Sequence, residues 1–198
     1  MRNLQWDEEI DEHDLAYHQI HSFFDAFTLR VSLAYTESIL QSAVRTEFWN
    51  YRAPANLLHF RRELGKLIGA GFFLQDVLED EEATRDIPEN GLPDLSKSED
   101  FIRPSPGASI WYSIPRNLSV SAYHNPFKAI RRFCQLRSEP EWMFTLDNLT
   151  EYALANTSYT EAFPEEDLFL IRKELCCLIE ASHLIEVRKN WEGPLELE

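Results

Sequence analysis

A chain of 198 residues that is 44% hydrophobic and 13% aromatic can bury a core without metals or disulfides and is too apolar for wholesale disorder. Its net charge of −15 repels a phosphate backbone at long range, which disfavours nucleic acid as a non-specific partner, and it suits solubility and basic partners. Cys134, Cys176 and Cys177 are odd in number with two adjacent, so no disulfide framework is expected.

Residues 1–14 (MRNLQWDEEIDEHD) form an acidic lead-in with one apolar anchor, Trp6. They are too polar for a secretory signal. No apolar run reaches the roughly 18 residues of a membrane span; Leu64 to Leu74 is broken by Lys66. A reducing, cytoplasmic location is expected.

From Leu15 the spacing predicts a helix with Tyr17, Ile20, Phe24, Phe27, Val31 and Ala34 on one stripe. The phase then slips, since Ser38 and Gln41 take the next stripe positions, so a bend near Tyr35 or a change of neighbour is expected. Glu47–Ala53 reads as a short aromatic connection. From Pro54 to Glu82, Leu57, Phe60, Leu64, Leu67, Gly71, Leu74 and Leu78 keep an unbroken three-four spacing. This predicts the central helix. Gly65, Gly69 and Gly71 along it each cost about 1 kcal/mol of helix propensity relative to Ala. Keeping them implies that a neighbouring backbone approaches closely.

Residues 83–117 hold five of the ten prolines and predict a long irregular loop, of a length that is commonly functional. Ile110-Trp111-Tyr112 within it is expected to dock on the core. Asn125-Pro126 predicts a helix start, and Ser138 with Glu141 a capping box. Asn156–Tyr159 reads as a turn. Pro164 to Asp167 opens a last helix carrying Leu168, Ile171, Leu175, Leu178 and Ile185, stopped by Gly193-Pro194. The expected fold is all-α, one bundle-like domain over 1–198 with about five main helices.

Three constellations invite a functional reading. His18, His21 and Asp25 share a helix face, and Glu180-Ala-Ser-His183 is a Glu-x-x-His unit with Glu186 one turn on. Bundle di-iron proteins use two such units, so a transition metal between the first and last helices is the alternative to having no cofactor. Lys128, Arg131 and Arg132 share a face with Arg137 beyond, and Arg61, Arg62 and Lys66 form a second basic group. These faces, with Trp111, would suit a phosphate or an acidic partner.

The third is Arg52 followed after six residues by His59. It resembles the R-x(4–6)-H signature of HEPN-type helical ribonucleases. That resemblance implies a dimer in which Arg and His act on an RNA 2′-hydroxyl and phosphate. No nucleophile elbow, phosphate-cradling glycine loop or Cys-x-x-Cys pair occurs. The leading expectation is therefore a non-enzymatic interaction or regulatory protein engaging another chain, a homodimer included. The alternatives are the ribonuclease and a bundle oxidase.

Overall fold

The computed structural model describes residues 12–45, 49–77, 114–155 and 157–189. Among them are eight helices and no strand, so the fold is all-α. In chain order these are α1 (Glu12–Ala26), α2 (Leu29–Val44), α3 (Pro54–Val77), α4 (Val120–His124), α5 (Phe127–Leu136), α6 (Glu139–Leu154), α7 (Tyr159–Ala162) and α8 (Leu168–Lys189). Residues 1–11 of the acidic lead-in, residues 83–113 of the expected loop with Trp111, and the Gly193-Pro194 stop lie outside the described residues.

Helix α3 sits at the centre and packs against α1, α2, α5, α6 and α8. Its three-four stripe is buried, with Leu57, Phe60, Leu64, Leu67 and Leu74 all at 1% exposure or less. Burying each such side chain contributes about 1.5–3 kcal/mol relative to leaving it in water. The glycines do admit neighbours, though side chains arrive rather than backbone. A Cβ on Gly65 would lie 3.0 Å from Met143 Cε, and one on Gly71 would lie 3.3 Å from Leu178 Cδ1. Gly69 is looser, since its Cβ would meet only Glu139 Oε1 at 3.4 Å.

The predicted first helix is two. It breaks after Ala26, before the expected bend at Tyr35, and Thr28 caps α2 by accepting from the Val31 N–H. The buried face of α1 is Ala16, Ile20 and Phe23, with Tyr17 and Phe24 only half-buried, so the true stripe is rotated from the expected one. On α2 the core face includes Ser32 and Thr36. Their hydroxyls donate to Thr28 O at 2.9 Å and Ser32 O at 3.0 Å, which hides polar groups within the helix. That is why an apolar stripe cannot be followed there in the sequence.

The remaining helices follow local signals, shifted by a residue or two. Asn125 Oδ1 accepts from the Phe127 N–H at 3.2 Å, so α5 starts at Phe127. Glu141 reaches back to the Ser138 N–H at 2.7 Å, making the expected capping box. α8 begins at Leu168 with Asp167 accepting from the Leu170 N–H at 3.0 Å. The short α4 and α7 were not expected, and α7 begins at Tyr159, where a turn was read. Between α5 and α6, Trp142 stacks on Phe133 with ring centroids 4.2 Å apart and donates its indole N–H to Phe133 O at 3.1 Å. The aromatic connection before α3 closes in the same way. Trp49 is buried with its ring stacked on Tyr35, and here it is the backbone N–H of Trp49 that donates to Ala153 O at 2.9 Å.

The contrast among the glycines has a measurable consequence. Gly69→Ala should stabilise the protein by about 0.5–1 kcal/mol in urea unfolding, because helix propensity rises while only the swinging end of Glu139 must yield. A loss of stability would show that the α3–α6 contact there is rigid.

Candidate functional site

The first and last helices are neighbours, yet they do not gather the five candidate metal ligands. His18 is exposed. His21 Nδ1 meets Glu186 Oε1 at 2.8 Å while its Nε2 meets Asp25 Oδ2 at 3.2 Å. His183 instead packs against Phe24, the rings tilted by 56° with centroids 5.1 Å apart. Glu180 is taken up by residues 116–118 instead. Among the described residues, no three His, Cys, Asp or Glu side chains converge to hold a metal ion.

Arg52 and His59 flank the start of α3, and both are exposed. Arg52 lies over the Tyr51 ring at 5.8 Å. His59 accepts from Arg62 Nη2 at 2.9 Å and packs beside Phe27. Arg62, rather than Arg52, is therefore the cation next to the imidazole. Both Arg62 and Lys66 hold the buried Glu63, each at 2.9 Å. Burial pushes the Glu63 pKa up, but the Lys66 and Arg62 hydrogen bonds and charges outweigh it, and the carboxyl ends below its ordinary value.

The basic groups do not pool into one face. Arg61 pairs with Asp147 of α6, and Arg137 pairs with Glu166 while covering the Trp142 ring at 5.4 Å. Arg131 is exposed on α5. Lys128 and Arg132 take another course, because both line a cavity of about 360 Å³ between the 117–122 segment, α5 and α8. Lys173 of α8 joins them there.

That cavity is built from α8 outward. Glu180 is fully buried. Its carboxylate accepts the backbone N–H groups of Arg116 at 2.9 Å, Asn117 at 2.6 Å and Leu118 at 3.2 Å, and the Asn117 amide at 2.7 Å. Burial raises its pKa, and the four donors only partly offset this. One turn earlier Cys177 donates its thiol to Asn117 O at 3.4 Å. These contacts seat the 116–118 turn as the roof. On the floor, Glu174 is 1% exposed and accepts from Arg132 Nη2 at 2.6 Å. Burial pushes the thiols up, Cys176 to about 12 and Cys177 to about 11. Both thiols therefore stay protonated at neutral pH and are poor nucleophiles.

A second concavity, about 250 Å³ and more open, runs between the end of α2 and the start of α8. Leu40, Val44, Leu168 and Phe169 line it, with Arg45 and Arg172 at its edge. Phe169 is 71% exposed and Val44 41%, whereas Phe23, Phe60 and Phe133 are buried. Arg172 is held by Glu37. Sequence reading missed both concavities, since each joins segments more than 100 residues apart or from three elements at once.

No family model, curated protein or solved structure matches the chain. Among the described residues, no helix is long and apolar enough to cross a membrane.

Two consequences follow from the buried carboxylates. Because the Glu63 pKa lies below its ordinary value of 4.5, its contribution to stability is present above that value and lost as pH falls through the folded pKa. Glu63→Gln should flatten that loss, narrowing the gap between urea midpoints at about pH 6 and about pH 3; an unchanged gap would place the acid sensitivity elsewhere. Glu180→Gln replaces an acceptor oxygen with a donor facing backbone N–H groups. It should cost about 2 kcal/mol and speed amide exchange at Asn117 and Leu118 first, so uniform protection there would show that Glu180 does not seat the turn.

Proposed function

We propose that this chain is a non-enzymatic interaction protein, of the regulatory kind, that holds another protein chain in the α2–α8 groove. The observation carrying the proposal is the Phe169 ring, left 71% exposed beside Val44 and above Leu40 and Leu168. An exposed aromatic ring beside apolar neighbours is a natural anchor for a partner chain, since such anchors tend to dominate interface energetics. Arg45 lines the groove, as does Arg172 while paired with Glu37, so the complementary segment carries apolar anchors and a carboxylate to meet Arg45. The chemistry elsewhere supports binding over catalysis. The buried thiols are held protonated, Arg132 and Glu174 tie α5 to α8, Glu180 holds the 116–118 turn, and Arg137 is paired with Glu166.

The test places a photoreactive phenylalanine at position 169 and compares co-purification of wild type with Phe169→Asp. We expect a crosslink to a second polypeptide, and a loss of the co-purifying chain by about tenfold or more in the variant, with circular dichroism unchanged. Retention of the same partner by Phe169→Asp, or crosslinking only between copies of this chain, would overturn the proposal.

A further inference from the structure

Helix α6 packs on α2 and α3 and turns its other side to solvent with an aromatic ring on it. Phe144 is 61% exposed. Its ring stands edge-on to Phe163, with centroids 6.2 Å apart. Phe163 in turn rests on Tyr152 at 6.0 Å and on Tyr159 at 4.8 Å, and Tyr159 is buried. The outermost ring is thus seated on a base that the core fixes, which lowers the ordering cost of using it as an anchor.

The charge around Phe144 is of one sign. From Ser138 to Ile171 the chain carries eight carboxylates and no Lys, Arg or His. Glu141, Asp147 and Glu151 stand three residues before, three after and seven after Phe144, so they flank it on the exposed side of α6. Glu161 and Glu165 bracket Phe163 in the chain and are exposed too. Among the described residues, the cations that pair here come from other segments and are already taken, Arg61 by Asp147 and Arg137 by Glu166. Glu151 and Glu165 form no ion pair among the described residues. Carboxylates around an exposed ring favour a partner of opposite charge and reject one of the same sign, and the face of the ring itself attracts cations.

We infer that this face of α6 docks a basic segment of another protein, one whose Lys or Arg side chains flank an apolar residue. The apolar residue covers Phe144, and the cations meet Glu141, Glu151 and Glu165. A second copy of this chain is a poor occupant, since each copy brings a net charge of −15. None of these residues lines the α2–α8 groove, so this surface does not depend on what the groove holds.

The test is fluorescence anisotropy of the full chain with a labelled amphipathic peptide of Lys, Leu and one Trp, at physiological ionic strength. The control probe is the same peptide with every Lys replaced by Glu. Phe144→Ser leaves the charge unchanged, and Glu151→Gln/Glu165→Gln removes two carboxylates from the face. Glu8→Gln/Glu9→Gln removes two from the acidic lead-in instead. We expect saturable binding of the basic peptide alone, weakened about fivefold or more by each change on the face and less than about twofold by the change in the lead-in. Phe169→Asp should leave it within about twofold, as a change at a separate surface. Absence of saturable binding up to about 1 mM, equal affinity in either face variant, an equal loss in the lead-in variant, comparable binding of the Glu peptide, or loss of binding in Phe169→Asp would overturn the inference.

Discussion

Five helices lean on one. The buried stripe of α3, from Leu57 to Leu74, is the only surface shared by α1, α2, α5, α6 and α8 among the described residues. Close packing of this kind transmits any change of volume to every neighbour. The glycines matter for the same reason. Gly65 and Gly71 leave space that Met143 and Leu178 fill, drawing α6 and α8 inward over opposite turns of α3. Their helix-propensity cost is offset by contacts that a Cβ would push apart. What holds elsewhere in the molecule, including both concavities, presupposes that α6 and α8 reach this depth.

α8 is then fixed in rotation by charge rather than by apolar pattern. Glu174, Glu180 and Glu186 recur every six residues and are all buried. Six residues turn a helix by about 600°, so successive carboxylates point about 240° apart and the three radiate in different directions. Each finds a different element: Arg132 on α5, the 116–118 turn, and His21 on α1. A buried carboxylate without donors is very costly, so rotating α8 by one position would strand all three at once. Apolar packing sets how deep α8 sits; these three contacts set which way it faces.

This arrangement explains what could and could not be read from the sequence. The α3 stripe was legible because its positions are apolar without interruption. The α1–α2 break was not, since Ser32 and Thr36 satisfy their hydroxyls within the helix and look polar in a buried face. The Glu-x-x-His spacing of Glu180 and His183 suggested half of a metal site, whereas among the described residues no such set converges and Glu180 is a buried carboxylate held by hydrogen-bond donors. Its partner is backbone 62 to 64 residues earlier, and periodicity carries no information about such a pairing. The basic residues on α5 were visible as a cluster. Their division, with Arg137 turned to Glu166 and Arg132 turned to Glu174, depends on where α8 lies and so on contacts that are not local.

The same logic limits what net charge implies. A charge of −15 disfavours nucleic acid as a non-specific partner, but the repulsion it produces is summed over distances that salt truncates to about 8 Å under physiological conditions. A long polyanion lying across the surface meets that sum directly. A small ligand inside a concavity meets mainly the walls, and those need not follow the sign of the sum: Lys128, Arg132, Lys173 and Glu174 line one such space together. Net charge therefore bears on long polyanions, whereas a ligand small enough to leave the outer field behind is governed by the side chains within a few ångströms of it.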